Sequence, residues 1–318
     1  MFRLTAKIEI TSAKKWVFDK VNSIEITRDT DTLTDTCELK LPKKILWLGE
    51  NAVPLKRGDE IKVFLGYNGN LQLAFQGYIT SMGFKAPFTI NCEDYLFKLK
   101  QQETRKLAYK SATLDQILKD QELKIPYKVC GEQHIGPYRV TADTVSGLLG
   151  NLKEVAGVRS FIRLEEEPVL YCGVLFDPED IHKYIFATGL NIIEDTELKE
   201  QKEEEFKIKV RAISLLPDNE KIEIEVGDED GEVRTLHTYD KKEEELRAWA
   251  EQELKRLRRA GLSGSFTTFG GKLAEKLDYI GMRIEGESRG IYQLQKNIIR
   301  YSSEGFRQEI TLGKRIAE

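Results

Sequence analysis

RGDEIKVFLGYNGNLQLAFQGYITSMGFKAPFTINCED, from Arg57 to Asp94, is echoed near the end of the chain by LDYIGMRIEGESRGIYQLQKNIIRYSSEGFRQEITLG, from Leu277 to Gly313. In each stretch an aspartate, Asp59 or Asp278, opens a strand with alternating apolar residues: Ile61 and Val63 in one, Ile280 and Met282 in the other. A glycine-bearing turn follows, Gly66 to Gly69 or Gly286 to Gly290. Next come a strand with an aromatic (Phe75, Tyr292), a linking run (Tyr78-Ile79, Ile298-Ile299) and a closing alternating strand. That last strand carries Phe88, Ile90 and Cys92 in the first copy and Phe306, Ile310 and Leu312 in the second. Alternation with period two is the mark of strands half buried on one face, and its repetition says that one small β unit occurs twice.

Upstream of the first copy the pattern continues as strands. Leu4, Ala6, Ile8 and Ile10 alternate, then Ile24 and Ile26, then Cys37, Leu39 and Leu41 before Pro42. The polar RDTDTLTDT between the last two suits an exposed loop. Character changes over 100–187. Thr113 with Gln116 forms a capping box for a short helix, and Asp143 or Thr144 caps a longer one carrying Val145, Leu148, Leu149, Leu152 and Val155, which Gly157 stops. SFIRLEEEPVLYCGVLF then reads as a hairpin turning at Glu166–Pro168.

Strands return after residue 188. FKIKVRAISL alternates from Phe206, KIEIEV alternates through Ile222, Ile224 and Val226, and Asp230-Gly231 is a hairpin signal leading into VRTLHTY. KIKVRAIS and KIEIEV mirror NSIEITRD and CELKLP, extending the duplication upstream. Asp240 with Glu243 makes a further capping box for a helix over 241–260, lined by Leu246, Trp249, Ala250, Leu254 and Leu257 and basic at its end (Lys255, Arg256, Arg258, Arg259). Gly264, Phe266, Thr267 and Gly270 read as a crossing from that helix to the last β unit. The expected architecture is β-rich α+β: two similar β-barrel domains, 1–99 and 188–318, with a small α/β domain, 100–187, inserted between them.

Composition narrows function. The 318 residues are 40% apolar and 32% charged, as in a globular protein with a charged surface. No apolar run approaches the roughly 20 residues of a membrane span, so no membrane insertion is expected. The alternating N-terminus reads as a strand, not a signal peptide, which places synthesis and folding in a cytoplasm. Cys37, Cys92, Cys130 and Cys172 are dispersed and expected as reduced thiols. A net charge of −4 disfavours binding by phosphate neutralisation.

Catalytic motifs are missing. There is no phosphate loop, zinc helix or nucleophile elbow; GLSGS at Gly261–Ser265 has the wrong order. His134, His182 and His237 lack ligand spacing. Asp228, Asp230 and Gly231 suit a turn better than a calcium loop. Glu165–Glu167, Glu203–Glu205 and Glu243–Glu245 read as solvated acids. No cofactor, metal or catalytic residue is expected.

Several segments resemble the baseplate hub proteins of contractile-tailed phages, the late control protein D family, which is related to the base of type VI secretion spikes. They are PLKRGDEIKVFLGYNGNLQLAFQGYIT (Pro54–Thr80), TINCEDYLFKLK (Thr89–Lys100), SATLDQILKD with VTADTVSGLLGNLKEVAGVRSFIRLEEEPVLYCG, the helix Glu243–Arg259, GLSGSFTTFGGKLAEKLDYIGMRIEG and YSSEGFRQEITLG. The resemblance spans nearly the whole chain and is one of pattern and order. It implies a homotrimer whose six barrels join the sixfold tail tube to a threefold spike, non-enzymatic, made in the host cytoplasm and ending in the virion baseplate. The chain ends after the second β unit, so any cell-wall cutting falls to a partner. Glu25, Thr27, Glu38, Lys40, Lys207, Lys209, Glu223 and Glu225 lie on the polar faces of their strands and are the expected lumen-facing residues, past which DNA moves without tight binding. The same residues could equally meet bulk water. Two other functions stay open: a β-domain carbohydrate or peptidoglycan hydrolase, which needs a carboxylate pair in a cleft, and a binding module, which needs a basic groove interleaved with aromatics.

Overall fold

The computed structural model describes residues 3–42, 53–83, 87–131, 133–173, 181–201, 207–216, 220–257 and 261–317. Glu203–Glu205, Phe206, Arg258 and Arg259 lie outside the described residues. The chain opens with β1 (Leu4–Thr11), β2 (Lys15–Phe18), β3 (Ser23–Asp29), β4 (Thr36–Leu41), β5 (Glu60–Tyr67), β6 (Asn70–Gly83), β7 (Phe88–Glu93) and the one-turn α1 (Leu96–Leu99). It continues through β8 (Ala108–Thr113), α2 (Leu114–Asp120), β9 (Tyr127–Val129), β10 (His134–Arg139), α3 (Val145–Ala156), β11 (Arg159–Leu164) and β12 (Pro168–Gly173). Then follow β13 (Lys183–Ala187), β14 (Ile192–Glu194), β15 (Lys199–Gln201), β16 (Ile208–Leu215), β17 (Lys221–Gly227), β18 (Glu232–Tyr239) and α4 (Glu243–Leu257). The last elements are β19 (Gly261–Ser263), β20 (Ser265–Phe269), β21 (Tyr279–Ile284), β22 (Glu287–Ser302) and β23 (Gly305–Ala317).

Thirteen strands form one sheet. Eleven run in the order β14-β20-β23-β22-β3-β4-β7-β6-β5-β1-β2, and β21 with β13 branches from β22. The order β3-β4-β7-β6-β5-β1 therefore recurs as β14-β20-β23-β22-β21-β13. The repeat holds at the level of single bonds. Gly58 N donates to Ile79 O and Ile79 N to Asp59 O; Leu277 N donates to Leu294 O and Leu294 N to Asp278 O. Lys56 N donates to the Asp59 carboxylate at 2.8 Å, as Glu275 N does to that of Asp278 at 2.7 Å. Even the positive φ recurs, +90° at Gly58 and +70° at Leu277. The copies differ at one end: β1 is antiparallel to β5, whereas β13 is parallel to β21. In both, a four-residue link (19–22, 188–191) joins the strands at opposite ends of the unit, so each sheet curls back on itself. Among the described residues no ladder closes either unit into a barrel.

Burial follows the alternation. Ile8, Ile10, Ile24, Ile26, Leu39, Leu41, Ile61, Val63 and Ile90 share one core, which also receives Ile299, Tyr301 and Phe306. Phe186, Phe266, Ile280, Met282, Tyr292, Leu294, Ile310 and Leu312 form another. Strand β22 thus feeds two cores. Its even positions Tyr292 and Leu294 are buried, then the odd positions Asn297, Ile299 and Tyr301. The phase changes at an irregularity in the pairing with β23 between Leu294 and Lys296. The extra residue absorbs that change and keeps one face inward, since Leu294, Asn297, Ile299 and Tyr301 stand opposite Leu312, Ile310, Gln308 and Phe306 of β23. Before the slip β22 pairs with β21; after it, with β3 from Lys296↔Asp29 to Ser302↔Ser23.

The inserted part has its own core of Leu114, Ile117, Leu118, Val145, Leu148, Leu149, Leu152 and Leu170. Thr113 caps α2, its side chain accepting from Gln116 N. Of the two candidates for the next cap, Thr144 is the one used, accepting from Gly147 N, and Gly157 ends α3 at φ +67°. A side chain at Gly157 would strike His237, so the small residue also admits β18.

Four sequence expectations are corrected. Strands β16 and β17 are not counterparts of β3 and β4: they lie in a separate sheet, β17-β16-β18, covered by Leu246, Ala250 and Leu254 of α4. The counterparts are β14 and β20, which makes Ser265–Phe269 a strand of the large sheet instead of a crossing. Asp230-Gly231 makes no hairpin. The chain passes over the start of β16, where a Cβ on Gly231 would lie 2.6 Å from the Ile208 backbone, and β18 runs parallel to β16. Finally, Asp240 does not cap α4. It sits at φ +52°, and Glu245 instead accepts from Lys242 N at 3.3 Å.

Inserting one alanine between Asn297 and Ile298 shifts the phase of β22 beyond it and turns Ile299 and Tyr301 outward. Each loses about 1.5–3 kcal/mol of burial, so the variant is expected to lose its cooperative denaturant transition. A transition with unchanged midpoint would contradict this reading of β22.

Candidate functional site

Four of the eight expected wall residues share one surface. Glu25 and Thr27 on β3 and Glu38 and Lys40 on β4 project opposite the buried Ile24, Ile26, Cys37 and Leu39. Glu25 stands directly across from Glu38, a repulsive cross-strand pair. Cations flank it: Arg300 of β22 donates to Glu25 at 3.0 Å and to Glu309 at 2.6 Å, and Lys40 meets Glu38 at 2.7 Å. The bond to Glu38 holds the Lys40 ammonium above its ordinary range. Asn91 and Ser81, hydrogen-bonded at 3.0 Å, extend the row across β7 and β6. The face is polar, with Glu25, Glu38 and Glu309 set against Arg300 and Lys40.

The other four lie elsewhere, on the sheet that carries α4. Lys209 pairs with Glu225 at 3.7 Å, Arg211 with Glu223, and Glu223 and Glu225 are exposed on the face away from the helix. The Arg211 hydrogen bond lowers the Glu223 carboxyl. Lys207 precedes β16 and is exposed. The structure therefore groups the eight residues into two quartets on two sheets.

A second constellation is buried where the two β units and the insert meet. Lys276, fully buried, places its ammonium 2.7 Å from both oxygens of Asp35 and 5.4 Å above the Phe161 ring of the insert. Arg28 reaches Glu275 at 3.2 Å, Ala74 O at 2.6 Å and Ala274 O at 3.2 Å. Arg163 binds Asp278 at 3.2 Å and the Lys276 carbonyl. Asp94 accepts from Asp35 N and Leu96 N, both at 2.9 Å, while Gln308 accepts from Ala274 N at 3.0 Å. Burial pushes the Asp35 carboxyl up while Lys276 pulls against it; burial and the Asp35 charge push Asp94 up to about 8. The segment 274–278, between β20 and β21, is thus clamped from three sides. Sequence reading missed this cluster except for Asp278. GGKLAEKLD looks like a solvated loop, and Lys276 finds its partner 241 residues away.

The chemistry of the remaining candidates is structural. His134 stacks on Tyr239 at 5.5 Å, and His182 lies 4.0 Å from Asp278. His237 is half-buried and lowered first by that burial. Glu165 is held by Lys128 and Tyr171. Cys37 and Cys92 face each other across β4 and β7 as free, buried thiols, pushed up by desolvation. Among the described residues no group of three or more His, Cys, Asp or Glu side chains could hold a metal ion, and no helix is long and apolar enough to cross a membrane.

No protein-family model and no curated protein matches the sequence. Solved structures do match, along nearly the whole chain. A tail protein from Neisseria meningitidis MC58 aligns with TM-score 0.63 at 15% identity, covering 99% of this chain and 96% of that one. The 43 kDa tail protein of prophage MuSo2 from Shewanella oneidensis gives 0.58 at 16% identity, covering 98% of each. An E. coli component of the type VI secretion system, described as structurally similar to the T4 tail proteins gp27 and gp5, gives 0.57 at 10% identity over 97% of this chain and 77% of that one. The chain has the fold of these tail and secretion-system proteins.

Truncating Lys276 to Met strands Asp35 inside the junction. Breaking a buried pair in this way costs about 3–5 kcal/mol, whereas Lys276→Met with Asp35→Leu should recover most of it. Denaturant titration of the single and double variants checks this; equal losses for both would show that the pair does not hold the junction.

Proposed function

We propose that this chain is the structural baseplate hub of a contractile phage or prophage tail, a homotrimer that joins the tail tube to the central spike and lines the channel traversed by DNA. One observation carries the reading: a single β unit occurs twice in one chain, with the same strand order and the same backbone bonds at Asp59 and Asp278. Three such chains present six similar units around an axis, which reconciles a sixfold tube with a threefold spike. The shared fold with tail and secretion-system proteins supports it. The role is non-enzymatic, exercised in the virion baseplate after assembly in the host cytoplasm.

We place the channel wall on the polar face of β22, β3 and β4, with Glu25, Thr27, Glu38 and Lys40 facing DNA. Arg300 and Lys40 are engaged by carboxylates there, which leaves little free positive charge to hold phosphates. Lys207, Lys209, Glu223 and Glu225 sit on a sheet outside the repeated unit and are not assigned to this wall.

Equilibrium sedimentation of the purified chain should give three chain masses, and Glu25→Lys with Glu38→Lys should keep that mass. Surface charge changes of this kind cost within about 0.5 kcal/mol. Phage carrying the double variant should assemble tails yet deliver DNA poorly. Normal delivery would remove these residues from the channel, and a monomer at all concentrations would overturn the hub reading.

A further inference from the structure

The repeat shows how one unit attaches to the next. Within the chain, the second unit receives the first along the far half of β22. Lys296, Asn297 and Ile298 lie opposite Asp29, Arg28 and Thr27 of β3. The equivalent stretch of the first unit is the end of β6. Ile79 matches Leu294 through its bonds to Gly58 and Asp59, so Ser81, Met82 and Gly83 match Lys296, Asn297 and Ile298. These three residues pair with β7 on one side, and no described strand pairs with their other edge. Beyond Tyr78, strand β5 no longer accompanies β6.

The counterpart of β3 is equally open. Leu312 matches Cys92, since each lies opposite the matched residue of the preceding strand, Leu294 or Ile79. Gly264 bonds Leu312 as Cys37 faces Cys92, so Ser263 matches Thr36. Thr36 pairs with Thr27 and Ser263 with Lys199. Lys199 and Glu200 therefore stand where Thr27 and Arg28 stand, and β14 with β15 replaces β3. Strand β14 pairs with β20 and β15 with β19; their outer edge carries no described strand. Two large apolar side chains are exposed beside it, Leu190 at 78% and Ile193 at 43%. An unpaired edge with apolar side chains is a template for another strand.

We infer that the β14–β15 edge of one copy adds antiparallel to the Ser81–Gly83 edge of β6 in a second copy. The partner surface is thus a second copy of this chain, bound head to tail, with Met82 of one protomer opposite Glu200 of the other as Asn297 lies opposite Arg28 within one chain. Heterologous contacts of this kind close into rings when the rotation permits. The inference rests on the trimeric reading of the proposed hub and names the surface that builds it.

Two full-length variants test it, Met82→Cys and Glu200→Cys. Directly opposed residues of antiparallel strands lie about 4.5–5.5 Å apart at Cα, within the range of about 4.4–6.8 Å that a disulfide spans. Glu200 is exposed and Met82 is half-buried at the margin of the first core, and circular dichroism against the parent chain reports whether each variant folds. The two are mixed, re-equilibrated and oxidised with oxidised glutathione. Each bond formed releases two glutathione thiols. A cross-linked dimer of Met82→Cys with Glu200→Cys is expected, absent when either variant or the parent is oxidised alone. A second variant pair, Leu190→Asp with Ile193→Asp, should shift the sedimenting mass to one chain. Trimers that neither cross-link nor dissociate would overturn this surface while leaving the hub reading standing. A parent chain that stays monomeric would overturn both.

Discussion

Strand β22 has to serve two cores, and the structure hangs on how it does so. A strand offers alternate residues to opposite faces, and both β22 and β23 hold one face inward past the two cores, β23 giving Phe306 to one and Ile310 and Leu312 to the other. Along β22 the extra residue between Leu294 and Lys296 changes the buried positions from even to odd on that same face. Tyr292 and Leu294 pack with Phe266 and Ile310, whereas Ile299 and Tyr301 pack with Ile24, Leu39 and Ile90. Beyond it β22 pairs with β3 in place of β21. The far half of β22 therefore joins the two units into a single thirteen-stranded sheet. It also lays the outer residues of β22 and β3, Arg300 and Glu25 among them, in one continuous polar face.

The clamp around 274–278 answers a different need. Where β20 hands over to β21 the chain must cross the interface between both units and the insert, leaving its backbone polar groups away from water. Side chains from distant segments satisfy them: Arg28 on Ala274 O, Gln308 on Ala274 N, Arg163 on Lys276 O. Lys276 and Asp35 then neutralise each other in the gap. Buried ion pairs rarely add much over an apolar replacement. Here the pair ties Asp35 of the first unit to the 274–278 segment beside Phe161 of the insert. Leu277, at φ +70°, is held in that strained conformation by packing against Phe161, Val169 and Tyr171.

The repeat was legible because alternation survives in sequence: Ile61 and Val63, Ile280 and Met282, and the opening Asp59 and Asp278 lie on strands of matching position. Helix caps at Thr113 and Thr144 were legible for a similar reason, being local. What failed depended on distant contacts. KIEIEV alternates as well as CELKLP does, and nothing within it says that α4 will cover one face and remove it from the large sheet. Asp230-Gly231 has the composition of a hairpin, yet the glycine is required by the backbone of Ile208 beneath it. Strand β14 is three residues long and slips against β20, too short and irregular for a periodic signal. Of the residues proposed for the wall, Glu25, Thr27, Glu38 and Lys40 share a face because alternation places them on strands that the sheet keeps together. Their cation Arg300 was not, because it lies 275 residues from Glu25. The buried lysine was hidden by its surroundings of charged neighbours, which read as surface.

The shared strand can be tested directly by native-state hydrogen exchange of the folded chain. Amides deep in a sheet open only with global unfolding, whereas edge strands open locally. If β22 joins both units, amides across Asn297–Tyr301 and Ile24–Thr27 should exchange in the slowest class, together with those of Ile280–Met282. Fast, independent exchange of Asn297–Tyr301 while β21 and the first half of β22 remain protected would contradict the account, because the two units would then be separate sheets in loose contact.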